Sequence, residues 1–247
     1  TMRFDIATLF PEVCEAVVNS SIIGRGIKAG KLEVHCHQIR DYTTDKHRRT
    51  DLRLHGGGMG MLMMCQPLFD AAHHVLPEKG PRDRVIFLSP AGMPFTQDKA
   101  KQLYRDYDHL VLICGHYEGV DHRVEEHLAD ELISIGDYVL TGGELGAMVI
   151  ADAVARMVPG VLGDAGRAQS DSFYEPILEY PQYTKPADYN GWKVPDVLLS
   201  GHHANIAKWR RKEALRRTLK CRPDLLEKLT LTKTDQKLMR EIEEEEK

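Results

Sequence analysis

Two short apolar runs separated by a helical segment constrain the fold of this chain more than any other feature. Residues 84–88 and 109–114 each have the length of a buried strand, and turn-forming residues bound both. Between them, Thr96 can cap a helix that continues through Tyr104. A strand, a helix and a second strand in this order are typical of a parallel sheet. The chain is therefore predicted to build an α/β domain.

Further elements extend this unit on both sides. Residues 3–9 are predicted as a strand, and Pro11 suits the first position of the helix that continues through residues 12–19. Residues 131–135 are predicted as another strand, and residues 144–158 as a helix. The apolar stripe of that last helix comprises Leu145, Met148, Val149, Ala153 and Met157.

Beyond Pro159 the composition changes, which indicates a second domain. Residues 161–173 contain glycine and few apolar side chains, and are predicted as a mobile linker. We expect an α/β domain over residues 1–160 and a small helical domain over residues 174–247. Its basic helix, residues 203–220, offers few apolar contacts, namely Ile206, Trp209, Leu215 and Leu219. Trp209 is expected in the core rather than stacked on a base.

The second domain carries a strong local charge in an otherwise mildly acidic chain. The 247 residues have a net charge of −4, yet residues 183–223 contain ten basic and three acidic side chains. Residues 224–247 then contain eight acidic and five basic side chains. A basic block of this kind is typical of polyanion binding. A solvated charged helix face would have the same composition, so both interpretations stay open.

The composition argues against several other classes of protein. Hydrophobic residues make up 42% and charged residues 28%, and no apolar run approaches the roughly 18–20 residues of a membrane span. We therefore expect no leader, no membrane contact and a cytoplasmic location. The five cysteines are scattered without a CxxC spacing, which disfavours a disulfide scaffold and a zinc ribbon. No metal role is assigned to the histidines His35, His37, His73, His74, His202 and His203.

Glycine is concentrated in four segments next to predicted strand ends. These segments are residues 55–61, 88–92, 114–121 and 134–145. Ligands of a parallel sheet bind at the carboxyl ends of its strands, where glycine lets the backbone approach closely. Each segment alone could be a plain tight turn, and Gly56–Gly58 lack both the P-loop and the dinucleotide spacing. Three segments follow predicted strands, which suggests a cofactor pocket built from three loops.

Taken together and in order, these segments resemble the bacterial tRNA (guanine-N1)-methyltransferase family. The likeness spans residues 3–223. It includes Leu9, Phe10 and Pro11, residues 156–163, Asp171, Ser172 and Phe173, residues 183–186, Val194 and Pro195, residues 198–202, and Trp209 and Arg210. The resemblance implies a knotted (trefoil) parallel-sheet methyltransferase domain and a homodimer whose active sites are shared between subunits. The implied reaction transfers a methyl group from S-adenosylmethionine to N1 of the guanine 3′ of the anticodon, tRNA position 37.

The resemblance also assigns the cofactor residues. They are Leu88, Ser89, Pro90, Gly115, Tyr117, Glu118, Gly119, Ile135, Gly136, Asp137, Tyr138, Val139, Leu140, Gly142 and Gly143. Backbone amides and carbonyls of these loops are expected to form hydrogen bonds with the polar edge of adenine. Tyr117 and Tyr138 either pack beside the adenosine or only form part of the pocket wall. Family enzymes use Mg²⁺, and the sequence offers no cage of oxygen ligands, so the substrate is expected to hold part of the ion's shell.

Methylation of N1 requires loss of its proton, and a carboxylate is the natural base. Asp171 matches the catalytic aspartate of the family, although an Asp before Ser-Phe also suits a helix N-cap. Arg156 is expected to stabilise charge on O6, or else to pair with Asp152 one helical turn away. Glu118 either contacts the guanine edge or pairs with Arg123.

The expected contacts with the anticodon arm of tRNA come from both domains. They are Glu118, Arg156, Gly57, Gly58, Lys208, Arg210, Arg216 and Arg217. Three residues depart from the usual family pattern, namely His55, Gly146 and Lys185, and the first two leave the shape of the pocket open. The rival functions are methylation of another nucleoside, tRNA binding without catalysis, and nucleotide binding at residues 56–60.

Overall fold

The computed structural model describes residues 1–163 and 167–247. The chain divides into two compact units, Thr1–Ala165 and Gly166–Lys247. The predicted linker, residues 161–173, includes residues 164–166, which lie outside the described residues. No helix in the described residues is long and apolar enough to cross a membrane.

The first unit alternates strands and helices, as the sequence predicts. Its elements are β1 (Met2–Thr8), α1 (Pro11–Val18), α2 (Ser21–Lys28), β2 (Leu32–Gln38), β3 (Asp51–Leu52), β4 (Leu62–Met63), α3 (Cys65–Val75), β5 (Asp83–Pro94), α4 (Gln97–Asp106), β6 (His109–Ile113), α5 (His122–His127), β7 (Glu131–Ser134) and α6 (Glu144–Ala155). The main sheet has the strand order β2-β1-β6-β5-β7, and all of its neighbouring strands are parallel. The prediction of an α/β fold with a parallel sheet is confirmed.

The central strand β6 is apolar because helices cover both faces of the sheet. Leu110 and Leu112 belong to the core cluster that includes α1, α2, α4 and α6. Val111 and Ile113 point to the other face, where α3 and α5 pack. The helix between β5 and β6 begins as predicted, since the Thr96 hydroxyl accepts a hydrogen bond from the Lys99 amide at 3.2 Å.

Strand β5 continues beyond its predicted end at Leu88. Leu88 and Met93 both pair with Ile133 of β7, so residues 89–92 leave the sheet and the chain then returns to it. A Cβ added to Gly92 would lie 2.5 Å from the backbone of Ile133, so only glycine allows the return. This detour is one wall of the site described below.

The predicted apolar stripe of α6 is wrong in part. Met148 is buried, but Leu145 is 56% exposed and Val149 is 45% exposed. The buried face consists instead of Ala147, Met148, Ile150, Ala151 and Val154. The sequence pattern misleads because this helix is apolar on more than the face that packs against the sheet, α1 and α4.

The second unit is mainly helical. After a 3₁₀ turn at Arg167–Ser170, its elements are β8 (Asp188–Tyr189), β9 (Trp192–Lys193), α7 (Asp196–Leu199), α8 (His203–Cys221), α9 (Pro223–Leu226) and α10 (Lys233–Glu245). Its small core joins Ile177 to residues of α8 and α10, including Leu215 and Leu238. Trp209 lies outside this core and is half-buried, so the prediction of a core tryptophan is wrong.

Candidate active site

Three loops enclose a cavity of about 310 Å³ at the carboxyl ends of β5, β6 and β7. This volume is within the range of small-molecule sites. Most of the residues predicted for the cofactor line it. These are Leu88, Ser89, Pro90, Gly115, Tyr117, Glu118, Gly119, Ile135, Gly136, Tyr138, Val139, Leu140, Gly142 and Gly143. The structure therefore brings three of the four glycine segments to one concave surface.

Two of these loops are joined through their backbones. The Gly143 amide donates a hydrogen bond to the Gly115 carbonyl at 3.0 Å, and His116 forms a β-bridge with Gly142. A Cβ on Gly143 would lie 2.9 Å from the Cα of Cys114. Glycine at this position lets the loop after β7 touch the loop after β6, which fixes the rim of the cavity.

The fourth glycine segment supports the cavity from outside. The Glu118 amide donates to the Met61 carbonyl at 3.0 Å, and the Met63 amide donates to the Gly119 carbonyl at the same distance. Gly60 lies directly against the side chain of Glu118. The glycines at 56–58 have positive φ values and do not line the cavity. A nucleotide site at residues 56–60 would therefore not be part of this cavity.

Sequence reasoning missed several lining residues. Asp137 was predicted for the cofactor but does not line the cavity, although Gly136 and Tyr138 on either side of it do. The missed residues are Phe87, His116, Val120, Glu125, Ile133, Ser134, Thr141 and Gly146. Most of them lie inside or beside the glycine segments, so their position was a usable signal. Glu125 comes from α5, outside the glycine segments, and had no such signal.

The alternative pairing of Glu118 with Arg123 is wrong. Arg123 binds both carboxylate oxygens of Asp121, at 2.8 and 2.7 Å. The hydrogen bond from Arg123 holds the pKa of Asp121 well below its usual range. Glu118 instead lies exposed at the cavity, with its side chain against Gly60.

Tyr138 is tied to the loop that carries it. Its hydroxyl donates to the Ile135 carbonyl at 3.2 Å, and its amide donates to the Gly136 carbonyl. The Ser134 hydroxyl donates to the same Gly136 carbonyl at 3.1 Å. These bonds hold the loop after β7 in one conformation, with the tyrosine ring as part of the cavity wall.

A buried carboxylate anchors the start of α6 beneath the loops. Glu144 is 7% exposed, and one of its oxygens accepts a hydrogen bond from the Thr8 hydroxyl at 2.7 Å. Burial raises the pKa of the neighbouring Cys114 thiol, and the Glu144 carboxylate adds to this effect. Glu144 therefore connects the end of β1 to the helix that begins at the cavity.

The two predicted catalytic residues belong to different units. Arg156 caps the C-terminus of α6 in the first unit, and its amide donates to the Asp152 carbonyl. Asp171 follows the 3₁₀ turn of the second unit, and its amide donates to the Ala168 carbonyl at 3.4 Å. No helix begins within residues 172–187, all of which are described, so Asp171 is not a helix N-cap.

The cations predicted to bind RNA divide between two faces of α8. Lys208 binds Glu241 at 3.3 Å, and Arg216 binds Glu245 at 2.5 Å, both in α10. Arg210 lies over the ring of Tyr180, 5.0 Å from its centre, and Arg217 donates to the Glu179 carbonyl. Acidic residues of α10 therefore bind Lys208 and Arg216, whereas Arg210 and Arg217 contact residues 180 and 179.

No metal site is evident in the part of the chain that the structure describes. No group of three or more His, Cys, Asp or Glu side chains there could hold an ion.

The sequence matches known proteins over nearly its whole length. A model of the family described as tRNA (Guanine-1)-methyltransferase TrmD matches residues 2–228. The chain belongs to this family. A protein of Brevibacillus brevis named tRNA (guanine-N(1)-)-methyltransferase is 53% identical over 100% of both chains. A protein of the same name from Halalkalibacterium halodurans is 50% identical over 99% of both chains.

A third relative shows similar agreement. The Ruminiclostridium cellulolyticum protein, also named tRNA (guanine-N(1)-)-methyltransferase, is 54% identical over 92% of this chain and 97% of its own. The resemblance inferred from the sequence is confirmed, and the chain is a methyltransferase.

Proposed function

We propose that this methyltransferase transfers a methyl group from S-adenosylmethionine to N1 of the guanine 3′ of the anticodon, position 37 of tRNA. The observation that carries the proposal is the cavity at the ends of β5, β6 and β7, in a chain of this family. Its relatives are named tRNA (guanine-N(1)-)-methyltransferase over the same length. In the family arrangement these three loops form a trefoil knot, and we extend that topology to this chain.

The cavity suits S-adenosylmethionine in size and in lining. Its volume of about 310 Å³ and its glycine-rich walls leave backbone groups of the loops accessible to a polar ring edge. We propose that backbone groups at Gly115, Ile135 and Leu140 form hydrogen bonds with the polar edge of adenine. When bound, S-adenosylmethionine supplies the methyl group, and the electron pair of the broken S–CH₃ bond stays on sulfur.

The chain's own task is to make N1 of guanine nucleophilic. We assign Asp171 as the base that takes the N1 proton, so that the freed electron pair forms the new N–CH₃ bond. Negative charge spreads onto O6 as the proton leaves, and we assign Arg156 to stabilise it. Glu118, exposed at the cavity, is assigned to the guanine edge.

The active form that we propose is a homodimer whose sites combine residues of both subunits. An apolar surface supports this proposal, since α1 and α6 pack against each other and both expose large side chains. These side chains are Phe10, Val13, Val17, Leu145 and Val149. An exposed apolar patch of this kind is typical of a protein interface. A second copy of this chain is the proposed partner.

Two further conditions follow from the family. We propose that Mg²⁺ is required and that the RNA supplies part of its ligand shell, because the described residues form no metal site. We propose the cytoplasm as the place of action. The five cysteines are all free thiols, which suits a reducing compartment.

A methyl-transfer assay tests the proposal directly. The purified protein is incubated with S-adenosylmethionine, Mg²⁺ and an unmodified tRNA transcript that carries guanine 3′ of the anticodon. A matched transcript has adenine at that position. Nucleoside mass spectrometry should find 1-methylguanosine in the first transcript alone. Methylation of both transcripts would mean another target nucleoside, and RNA binding without methylation would favour a non-catalytic role.

A further inference from the structure

The second unit contains a cavity of its own, of about 310 Å³. Three aromatic side chains line it, namely Tyr180, Tyr183 and Trp209. Arg210 also lines it and covers the ring of Tyr180. Lys185 lines it as well, on the same segment as Tyr180 and Tyr183. The cavity therefore combines ring faces with positive charge.

The cavity lies on the side of α8 that α10 leaves uncovered. Lys208 and Lys212 point to α10, where Glu241 binds both of them. Arg210 and Arg217 are seven residues apart, so they share one helix face, and neither has an acidic partner in α10 among the described ion pairs. Positive charge available to phosphates is thus next to the aromatic cavity.

We propose that this cavity binds an unstacked nucleobase of the RNA substrate, with Arg210 and Lys185 meeting the phosphates beside it. The inference rests on the proposed function in taking RNA as the ligand. Every base has a π face that stacks on Tyr or Trp, and Arg adds a cation–π contact. A simple apolar ligand would not account for two cations at the rim.

This base is distinct from the guanine that is methylated. None of the residues predicted for the cofactor lines the second cavity, and all of its lining residues belong to the second unit. Sequence-specific RNA binding commonly uses bases that are splayed out of a loop. The cavity thus gives the second unit a way to recognise a loop base, in addition to phosphate contacts that carry no sequence information.

An exposed lining residue allows the test without disturbing the core. Tyr183 is 51% exposed, so Tyr183→Ala should fold normally. Tyr189→Ala is the matched control, because Tyr189 is 61% exposed in the same unit but does not line the cavity. Affinity for the unmodified tRNA transcript is measured without methyl donor over a series of salt concentrations.

Loss of stacking should weaken RNA binding by roughly 5- to 150-fold for Tyr183→Ala. The slope of log K against log salt should stay unchanged, because no phosphate contact is removed. S-adenosylmethionine binding and the Tyr189→Ala control should match the wild type. Equal loss for Tyr183→Ala and Tyr189→Ala, or no loss for Tyr183→Ala, would overturn the proposal. A changed oligomeric state of the Tyr183→Ala variant would also overturn the proposal, because it would mean that the cavity is a protein interface.

A fluorescence measurement gives an independent result. The chain has two tryptophans, so Trp192→Phe leaves Trp209 as the sole reporter. Saturating RNA should quench Trp209, and an unchanged spectrum would overturn the proposal. If the wild type binds RNA but neither the Tyr183→Ala affinity nor the Trp209 fluorescence changes as expected, only the base-binding role of this cavity is refuted. A wild type that binds no RNA would refute the proposed function as well.

Discussion

Asp5 lies fully buried in β1, yet it is surrounded by hydrogen-bond donors. Its carboxylate binds His37 at 2.5 Å, His109 at 2.7 Å and Arg3 at 2.6 Å. Burial by itself would raise the pKa of Asp5, but the hydrogen bonds from His109, His37 and Arg3 outweigh burial and hold the pKa well below its usual value. The ionised form of Asp5 is therefore part of the folded sheet.

We expect Asp5→Asn to lower the free energy of unfolding by about 1.5–3 kcal/mol at pH 7, because the charged hydrogen bonds are lost. A lowered pKa in the folded state means that ionised Asp5 stabilises the fold above the ordinary value of 3.8, and that this contribution is lost as the pH falls below it. Urea unfolding at several pH values should therefore show the wild type and the variant converging in acid.

Asp108→Asn is the control for this experiment. Asp108 also binds an arginine, Arg82, but the Asp108 side chain is 61% exposed. Loss of its charge should therefore change the free energy of unfolding little. If the difference in unfolding free energy between the wild type and Asp5→Asn stayed the same down to pH 3, the stabilising role of the Asp5 charge would be contradicted.

For the proposed base, Asp171→Asn should lower the turnover number by about 10²–10⁴-fold, since the N1 proton would lose its acceptor. Affinity for S-adenosylmethionine should not change. Asp188→Asn, which alters an exposed aspartate of β8 in the same unit, should keep wild-type turnover. Single-turnover methylation and equilibrium cofactor binding measure the two effects, and near-normal turnover of Asp171→Asn would exclude it as the base.

The lining of the cavity at the ends of β5, β6 and β7 was largely predictable from the residues themselves. Glycines such as Gly115 and Gly143 stand beside strand ends, and that position predicts a ligand pocket. The partners of charged groups were not predictable, because they depend on the conformation of the turn. Arg123 reaches Asp121 rather than Glu118, and no spacing rule distinguishes the two.

Among the elements, α8 and α10 show how acidic and basic segments combine. Arg211 binds both oxygens of Asp235 at 2.7 and 3.0 Å, and this hydrogen bonding lowers the pKa of Asp235 to about 2. Asp235 also completes a capping box with Thr232 at the start of α10. The acidic end of the chain is therefore a partner of the basic helix rather than a separate tail.

We expect the two faces of α8 to contribute differently to RNA binding. Arg217→Gln should weaken tRNA binding and reduce the slope of log K against log salt by about 1, because one phosphate contact is lost. Lys212→Gln should leave the slope unchanged and lower the thermal stability, because Lys212 binds Glu241 and Glu245. The reverse result would place the RNA on the side of α10.

The elements were predicted best where a local signal defines their ends. Pro11 and Thr96 begin α1 and α4 as the sequence predicts. The return of β5 to the sheet after residue 92 was not predictable, because it depends on close contact with β7. The division of α8 into two faces was also not predictable, since it depends on how α10 packs.

At the scale of the whole molecule, the apolar surface of α1 and α6 bears on assembly. Val149→Glu places a charge within it and should convert the proposed dimer to a monomer with loss of methylation. Leu52→Glu is the control, because Leu52 is similarly exposed but belongs to β3 rather than to α1 or α6. Sedimentation analysis measures the mass, and a dimeric Val149→Glu protein would show that this surface is not the interface.

The detour in β5 limits how this protein can change in evolution. Surface loops ordinarily tolerate inserted and deleted residues, but residues 89–92 leave and rejoin the same strand against Ile133. Where the strand rejoins the sheet, a side chain on residue 92 would overlap the backbone of Ile133. This wall of the cavity can therefore vary in the residues that line it, but not at the glycine that lets the strand return.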